Sequence, residues 1–359
     1  MPLHRWSVYL KKHLFLNQEG FYELPYLSNT PSLMVESIAG IPVSDHRTAE
    51  QAIYTDTAYT TGSMRYREIE EGLWLLGSSL DVKRNIISTA VYDQEIKSDY
   101  YFLSFAVFEY GFPLDTSNKE EATLVSTTCT FYKPNTEVTS FFYEGSRGRF
   151  FNIVFNKAWL QNNLHFEAPL QQEINEYLDG ESGFLNWIDI VPDAVALSDE
   201  LWNKLDIEHA GPANNIDLKW QLKQIITHFF EQAYADKRIK NHVALHNPDY
   251  ANVAAAEKMI LSNLAGSFIG VDTIARAVNV SSTKLKTIFK SVFGFSMLQY
   301  HKEKNMLLAM QLLQHSGMQV KKIASIAGYA SSSKFAANFK KRFHVLPTSI
   351  RRDEPILAD

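Results

Sequence analysis

Residues 281–293 read SSTKLKTIFKSVF, and fifty residues later residues 331–343 read SSSKFAANFKKRF. An Ile-Ala pair precedes each stretch, at 274–275 and at 323–324. This pattern predicts a short helix, a tight turn and a longer basic amphipathic helix, and it occurs twice. Two such units in tandem are typical of a protein that reads two neighbouring turns of the DNA major groove.

The first basic helix is expected to have one apolar face and one DNA-facing side. A serine before the helix predicts an N-cap, which leaves the first amides free to face a phosphate. Threonine can hydrogen-bond to a base or offer a methyl group to thymine, and lysine can reach guanine or phosphate. An ordinary solvated surface is the alternative. The predicted contacts are Ser282, Thr283, Lys286, Thr287 and Lys290.

The second basic helix has a different chemistry. Its outward positions include Ala336 and Ala337, which cannot read a base by hydrogen bonding. We therefore expect this helix to approach DNA closely and to contact mainly phosphates, with modest direct base readout. The predicted contacts are Ser332, Ser333, Lys334, Asn338 and Lys340.

Charge is distributed unevenly along the 359-residue chain, whose net charge is −5. Residues 251–352 contain 15 Lys and Arg but only 3 Asp and Glu, a net charge of +12. Residues 1–250 contain 20 Lys and Arg and 34 Asp and Glu, a net charge of −14. This division indicates that the C-terminal part meets a polyanion and that the N-terminal part does not.

The C-terminal part resembles the AraC/XylS family of bacterial transcription regulators over about 250–351. The resemblance is carried by residues spread over both copies: Ile274-Ala275, Leu285, Phe289-Lys290, Phe293-Gly294, Ser296, Tyr300, Ala309, Leu312-Leu313, Ile323-Ala324, Ala327-Gly328-Tyr329, Phe335, Phe339-Lys340, Phe343, Pro347 and Arg351. It implies two helix-turn-helix units joined by a linker helix, here Ser296 to Leu313. The chain departs from the family pattern at Met297, Asn305, His344, Leu346 and Ile350. We expect these departures to change local packing more than the DNA-facing surface.

The N-terminal half shows β-structure first and helix later. Between about residues 60 and 155, short β-rich runs alternate with turn-forming stretches such as 77–79 and 145–148, which is typical of a barrel or a sandwich. Residues 1–60 lack this pattern, and their prolines favour extended or irregular chain. After residue 156 the pattern is helical, and residues 215–235 carry a broad apolar face that would either cover the barrel or form a dimer contact.

These patterns predict a multidomain α+β protein. We expect a β-rich effector-sensing domain over 1–155, a helical linker and dimerisation region over 156–240, and an all-α tandem helix-turn-helix domain over 250–352. A connecting linker is expected at 241–249, which contains Pro248. The family resemblance implies that the N-terminal domain is a cupin-like β-barrel.

The N-terminal domain is expected to bind a small-molecule effector of unknown identity without a metal or other cofactor. No histidine occurs between His46 and His165, so the barrel lacks the ligands of a metal-dependent cupin enzyme. Its aromatic residues and arginines could hold an anionic or aromatic molecule, although an ordinary core with surface arginines is the alternative. The candidate ligand-binding residues are Arg65, Arg67, Tyr101, Arg147 and Arg149.

Two other classes of protein stay open. A cupin-type enzyme with a helical appendage would leave the repeat unexplained, and the chain shows no glycine-rich phosphate loop or nucleophile elbow at a credible strand-to-helix junction. A constitutive DNA-binding protein without a ligand would not need the large acidic, aromatic-rich half. We therefore favour an effector-controlled transcription regulator, with no catalytic residues and no enzymatic activity.

The expected partners are double-stranded promoter or operator DNA, the effector, a second copy of the chain and RNA polymerase. A homodimer would let weak binding at single sites add through effective concentration. No apolar run reaches the ~18 residues of a membrane span. The single cysteine, Cys129, fits a reducing compartment, so a cytoplasmic location is expected.

Overall fold

The computed structural model describes residues 2–18, 20–113, 121–180, 184–188, 193–235 and 247–350. The chain divides into two compact units: unit 1 comprises residues 1–108 and 126–247, and unit 2 comprises residues 109–125 and 248–359. Most of the linker predicted at 241–249 lies outside the described residues, as does Arg351, the last residue that carries the family resemblance.

Unit 1 contains six described α-helices and most of the strands. The helices are α1 (Pro2–His13), α2 (Pro31–Ala39), α3 (Lys157–Asn163), α4 (Ala168–Asp179), α5 (Ala194–Lys204) and α6 (Pro212–Ala235). The strands are β1 (Asn17–Gln18), β2 (Phe21–Leu27), β3 (Ser44–Arg47), β4 (Ala52–Asp56), β5 (Thr60–Glu70), β6 (Leu73–Val82), β7 (Ile86–Val91), β8 (Tyr100–Pro113), β9 (Glu121–Tyr132), β10 (Thr139–Phe142), β11 (Arg147–Asn156) and β12 (Phe184–Ile188). Strands β8 and β9 each have one end in unit 2.

The strands form two open sheets. One has four strands in the order β1-β2-β7-β10, and the other has eight in the order β12-β9-β8-β11-β6-β5-β4-β3. Strands β2 and β7 pair in parallel, whereas β5, β6 and β11 pair antiparallel. A many-stranded N-terminal half and a helical C-terminal half confirm the predicted α+β class, but the sheets do not close into one barrel.

The expectation of extended or irregular chain over residues 1–60 holds for the strands of this segment but was wrong for its two helices. This segment contains α1, α2 and the first four strands. Pro31 begins α2 rather than interrupting it, because the first helical position has no intrahelical partner for a backbone N–H. The side chain of Thr30 caps the same helix by accepting a hydrogen bond from the backbone N–H of Leu33 at 3.2 Å.

The turn predicted at residues 77–79 was also wrong, because β6 continues through it between β5 and β11. Gly77 is needed there for space: a Cβ at this position would lie 2.8 Å from the ring of Phe151. The glycine therefore permits close approach of a neighbouring side chain in the middle of a strand.

The apolar face of α6 is buried against the sheet of its own chain. The ring of Phe131 on β9 lies 5.9 Å from that of Phe229 and 5.1 Å from that of Phe230, centroid to centroid. Both α6 phenylalanines are at most 1% exposed. Of the two roles open to this face, covering the sheet is therefore the one that the structure shows.

Unit 2 contains seven described helices: α7 (Asn247–Ser262), α8 (Val271–Ala277), α9 (Ser282–Phe293), α10 (Met297–His315), α11 (Val320–Ile326), α12 (Ser332–Phe343) and α13 (Pro347–Ile350). Helix α10 contacts α9, α11 and α13. Its buried residues include Tyr300, Leu308 and Leu313. They form part of the hydrophobic core together with the helices that precede and follow α10 in the sequence.

Unit 2 also includes the segment 109–125, which the sequence assigned entirely to the N-terminal domain. The amide of Gln311 on α10 pairs with the backbone of Val125 in this segment. Its Nε2 donates to the Val125 carbonyl at 2.9 Å, and its Oε1 accepts from the Val125 N–H at 3.0 Å. A side-chain amide thus satisfies two backbone groups at once.

Candidate nucleic-acid interface and effector cavity

The two basic helices begin with the same local geometry. Ser281 Oγ accepts a hydrogen bond from the Lys284 N–H, and Ser331 Oγ accepts one from the Lys334 N–H, each at 3.2 Å. The predicted N-caps are therefore present at both sites. Each cap fixes where its helix starts, and so fixes which residues of that helix point outward.

The turn before each basic helix is also duplicated. Asn279 has φ 54° and Gly328 has φ 76°, both in the left-handed region. In each turn the next residue donates its N–H to a carbonyl five residues earlier: Val280 to Ala275 at 3.1 Å, and Tyr329 to Ala324 at 2.9 Å. The repeat seen in the sequence is thus a repeat of backbone conformation.

The two helices end alike as well. Gly294 has φ 75° and donates its N–H to the Lys290 carbonyl at 2.8 Å, while His344 has φ 63° and donates to the Lys340 carbonyl at 2.8 Å. Glycine accepts this conformation without strain, whereas histidine does not. The departure from the family pattern at His344 therefore strains the backbone at the end of α12 and does not change the DNA-facing surface.

In α9 the predicted division into faces is observed. Leu285, Ile288, Phe289 and Phe293 are buried. Thr283, Lys286, Thr287 and Lys290 are exposed, and Ser282 is half-buried. The Thr287 hydroxyl donates to the Thr283 carbonyl at 3.1 Å, so its lone pairs and methyl group are what it can offer to a base.

In α12, Phe335 and Phe339 are buried, while Ser333, Lys334, Asn338 and Lys340 are exposed and Ser332 is half-buried. Burial raises the pKa of the Tyr329 hydroxyl, and the neighbouring Asn338 side chain acts in the opposite direction. Asn338 itself is exposed and is the one side-chain amide that α12 presents.

Three polar contacts hold the basic helices in place. Ser282 Oγ donates to the carboxylate of Asp272 on α8. Lys284 forms an ion pair with Asp249 on α7 at 2.7 Å, and Arg342 forms one with Glu303 on α10 at 2.7 Å. Lys284 and Arg342 are therefore engaged within unit 2, while the predicted lysine contacts lie elsewhere on their helices.

The two helix-turn-helix units meet at a glycine. The Gly266 N–H, just before the first unit, donates to the Ile326 carbonyl at the end of α11 at 2.9 Å. A Cβ on Gly328 would lie only 2.7 Å from the Gly266 carbonyl oxygen. Gly328 thus has two roles. It adopts a positive φ, and it leaves room for the backbone of Gly266, which precedes the first helix-turn-helix unit.

Helix α10 buries several polar residues. Lys304 is 0% exposed, with its Nζ 5.4 Å from the centroid of the Tyr300 ring. Asn305 Nδ2 lies 3.5 Å from His301 Nδ1, and burial lowers the pKa of His301, which favours its neutral form. Asn305 and Met297, two departures from the family pattern, are at most 2% exposed. They belong to the core of unit 2.

None of the five candidate ligand residues lines the cavity of unit 1 that is described below. Arg67 is 4% exposed and donates to the carbonyls of Lys204, Leu205 and Asp206 at 3.0–3.3 Å, at the C-terminal end of α5. The guanidinium of Arg65 lies 4.5 Å from the ring centroid of Trp202 and pairs with Asp206. These two arginines hold α5 in place.

The remaining three candidates are placed differently. Arg149 pairs with Asp199 on α5. The Tyr101 ring lies 6.0 Å from those of Phe131 and Phe155 in the core, and Arg147 is exposed at the start of β11. The structure thus brings Arg65, Arg67 and Arg149 together at α5 but does not join the five residues into a pocket.

A cavity lies among the strands of both sheets and α2, with an empty volume of about 960 Å³ including its open mouth. Its apolar lining includes Leu24, Met34, Ile53, Leu80, Phe142 and Phe150. Its polar lining consists of Thr55, Thr57, Thr60, Ser63, Ser78, Ser88, Asn152 and the hydroxyl of Tyr26. None of the described lining residues is charged. In the sequence, the only indication of this site is the presence of small polar residues in otherwise apolar strands. One of them, Ser78, falls in the stretch 77–79 that the sequence predicts to be a turn.

In the part of the chain that the structure describes, no three His, Cys, Asp or Glu side chains group closely enough to hold a metal ion. Over the same residues, no helix combines the length and the apolar character needed to cross a membrane.

Two capped helix-turn-helix units on one linker helix, with lysines on their exposed sides, define a DNA-binding transcription regulator. A helix-turn-helix domain family matches residues 274–353. The chain is 33% identical over 85 residues to the probable transcription factor PqrA of Proteus vulgaris, covering 24% of this chain and 70% of that one. It belongs to the AraC/XylS family of transcription regulators.

Other similarities fall in the same region. The transcriptional regulator GbdR of Pseudomonas aeruginosa is 25% identical over 126 residues, which cover 35% of this chain and 33% of that protein, so the match spans about a third of GbdR. A crystal structure of a transcriptional regulator with an AraC-type DNA-binding domain from Chromobacterium violaceum is 23% identical, covers 32% of this chain and 100% of that one, and has a TM-score of 0.28.

The turn geometry makes a stability prediction. We expect Gly328→Ala to lower the free energy of unfolding by about 2 kcal/mol, because alanine is strained at φ 76° and its Cβ would meet the Gly266 carbonyl. Gly317→Ala is the control, since no atom lies within 4 Å of a Cβ there. Chemical denaturation monitored by circular dichroism measures both. Equal stability of the two variants would contradict the proposed role of Gly328.

Proposed function

We propose that this regulator binds promoter or operator DNA through α9 and α12, and that a small organic molecule in the cavity of unit 1 controls this binding. The observation that carries the first part is the duplicated cap, turn and exposed face of the two basic helices. The cavity supports the second part, because its mixed apolar and hydroxyl lining suits a small-molecule site.

The two helices have different proposed roles. Helix α9 exposes two threonines and two lysines that are able to contact base edges, whereas α12 exposes mainly serine, alanine and lysine. We therefore assign most base specificity to α9 and mainly phosphate contacts to α12.

This division predicts different effects for two lysine substitutions. Lys286→Ala should change the preferred sequence and cost about 1–3 kcal/mol at the best site, as expected for a good base contact. Lys340→Ala should weaken all sequences alike and lower the slope of log affinity against log salt by about 1. Selection from random DNA, followed by gel-shift titration at several salt concentrations, measures both effects.

The control for these variants is Lys97→Ala, which removes an exposed lysine of unit 1. It should change neither the selected sequence nor the salt slope. An unchanged selected sequence for Lys286→Ala would contradict the assignment of base readout to α9, while loss of DNA binding from Lys97→Ala alone would contradict the location of the interface.

The regulator is further proposed to act as a homodimer through α6, with RNA polymerase as an additional partner at the promoter. The phenylalanine face of α6 is already covered, so another part of the helix must form the contact. Ile216 and Trp220, one turn apart, are 61% and 62% exposed. Two copies of this face could bury each other in a symmetric interface.

Two substitutions on α6 distinguish the buried face from the exposed one. Trp220→Glu should leave a folded protein with weaker self-association, because it removes the largest exposed apolar side chain of the helix. Phe229→Asp should unfold unit 1, since it deletes a buried ring, at a cost of about 3–5 kcal/mol, and buries a charge. Sedimentation and circular dichroism measure these outcomes. A folded Phe229→Asp monomer, or a wild-type chain that stays monomeric on DNA, would contradict the proposal.

A further inference from the structure

We infer that the cavity of unit 1 takes an uncharged, mainly apolar molecule that carries hydroxyl or carbonyl groups, and that it discriminates against carboxylates. This inference rests on the proposed role of the cavity as the effector site. It names the chemical class of the effector, which the arginine-rich candidate set in the sequence had suggested would be anionic or aromatic.

The walls of the cavity are apolar on every side. The four-stranded sheet contributes Leu24 and Ile86, the eight-stranded sheet contributes Ile53 and Leu80, and α2 contributes Met34. A ligand that fills this space gains about 25 cal/mol for each Å² of apolar surface removed from water. Most of the ligand surface must therefore be hydrocarbon for binding to be favourable.

Polar groups without protein partners lie within this apolar lining. Asn152 on β11 and Ser78 on β6 are each 6% exposed, and both line the cavity. Ser78 pairs with Phe150 across the two strands and Asn152 pairs with Leu76, so the two polar residues are diagonal neighbours. No hydrogen bond between described residues involves either side chain. Ser88, which is half-buried, adds a hydroxyl from the opposite sheet.

Polar groups on an apolar wall favour a ligand that can replace the water they bind. A hydrocarbon surface placed against Asn152 or Ser78 would remove that water without a substitute, at a cost of about 1–3 kcal/mol, whereas a ligand oxygen bonded to either residue avoids this cost. The Asn152 amide can donate and accept, and a serine hydroxyl can do the same. Alcohol and carbonyl oxygens fit this pair of residues equally well.

The described lining of the cavity offers no charged group to balance a charged ligand. No described lining residue is charged, and Arg65 and Arg67, which might have neutralised an anion, bind the carbonyls at the end of α5 instead. A carboxylate that entered would lose its hydration without gaining a cation. An ammonium ion would be penalised in the same way. The lining therefore selects a neutral molecule.

The test compares three compounds that have the same eight-carbon length but carry a neutral, an anionic or a cationic head group. Isothermal titration of the full chain at neutral pH with 1-octanol, octanoate and octylammonium should give a Kd for octanol at least tenfold lower than for either ion. Octanoate binding as tightly as octanol would overturn the proposed ligand class but leave an effector cavity in place. No heat or stabilisation from any of the three would overturn the cavity as a ligand site, and gel-shift assays would still test DNA binding separately.

Two variants link the result to this cavity. Ser88→Lys places a cation on the lining and should raise octanoate affinity at least tenfold, while Ser32→Lys, on the exposed side of α2, should not. Asn152→Leu should weaken octanol several-fold, because it removes the amide from the lining. If Ser88→Lys does not fold, the wild-type comparison and Asn152→Leu still decide the outcome. Octanol affinity that neither Asn152→Leu nor Ser88→Lys changes would contradict binding in this cavity.

Discussion

Both helix-turn-helix units of this regulator pack against α10, and the rest of the C-terminal unit depends on this shared burial. Phe289 and Phe293 of the first unit lie 5.4 Å and 4.7 Å, ring to ring, from Tyr300 on this helix. On the far side, α11 packs on α10, and Arg342 of α12 pairs with Glu303. Because one helix anchors both units, it fixes how the two DNA-facing surfaces are presented.

With the apolar sides committed to that shared core, the outward sides are free to diverge. The N-caps, the hydrogen bond that closes each turn and the left-handed helix ends recur in the two copies, although the second turn is one residue longer, and the exposed residues differ. Threonine and lysine on α9 suit base readout, and small residues with lysine on α12 suit close approach to the backbone of DNA. The two units thus share a backbone arrangement, while their exposed side chains suit different kinds of contact with DNA.

The sequence predicted the C-terminal unit well because its signals are local. Serine N-caps, a 3.6-residue apolar period and the duplication each act over a few residues, and the buried and exposed positions of α9 followed from them. It did not predict that α2 starts at Pro31. Proline disrupts the interior of a helix but is accepted at its first position, and the sequence pattern alone does not show which position Pro31 occupies. Nor did it predict that β6 runs through Gly77, where cross-strand pairing overrides the turn preference of glycine and serine. The prediction that arginines bind the ligand failed to anticipate their role for a related reason. Arg67 donates to carbonyls about 140 residues away in the sequence, and no local pattern reveals such a contact.

Hydroxyl-radical footprinting of the full chain, on DNA enriched by selection, tests the central claim that both units engage neighbouring turns of one duplex. The account predicts two protected patches on the same face of the DNA, about 10 base pairs apart. The patch under α9 should coincide with the strongly selected bases, and the patch under α12 should lie over a weakly selected sequence. A single protected patch, with no protection one helical turn away, would contradict the account.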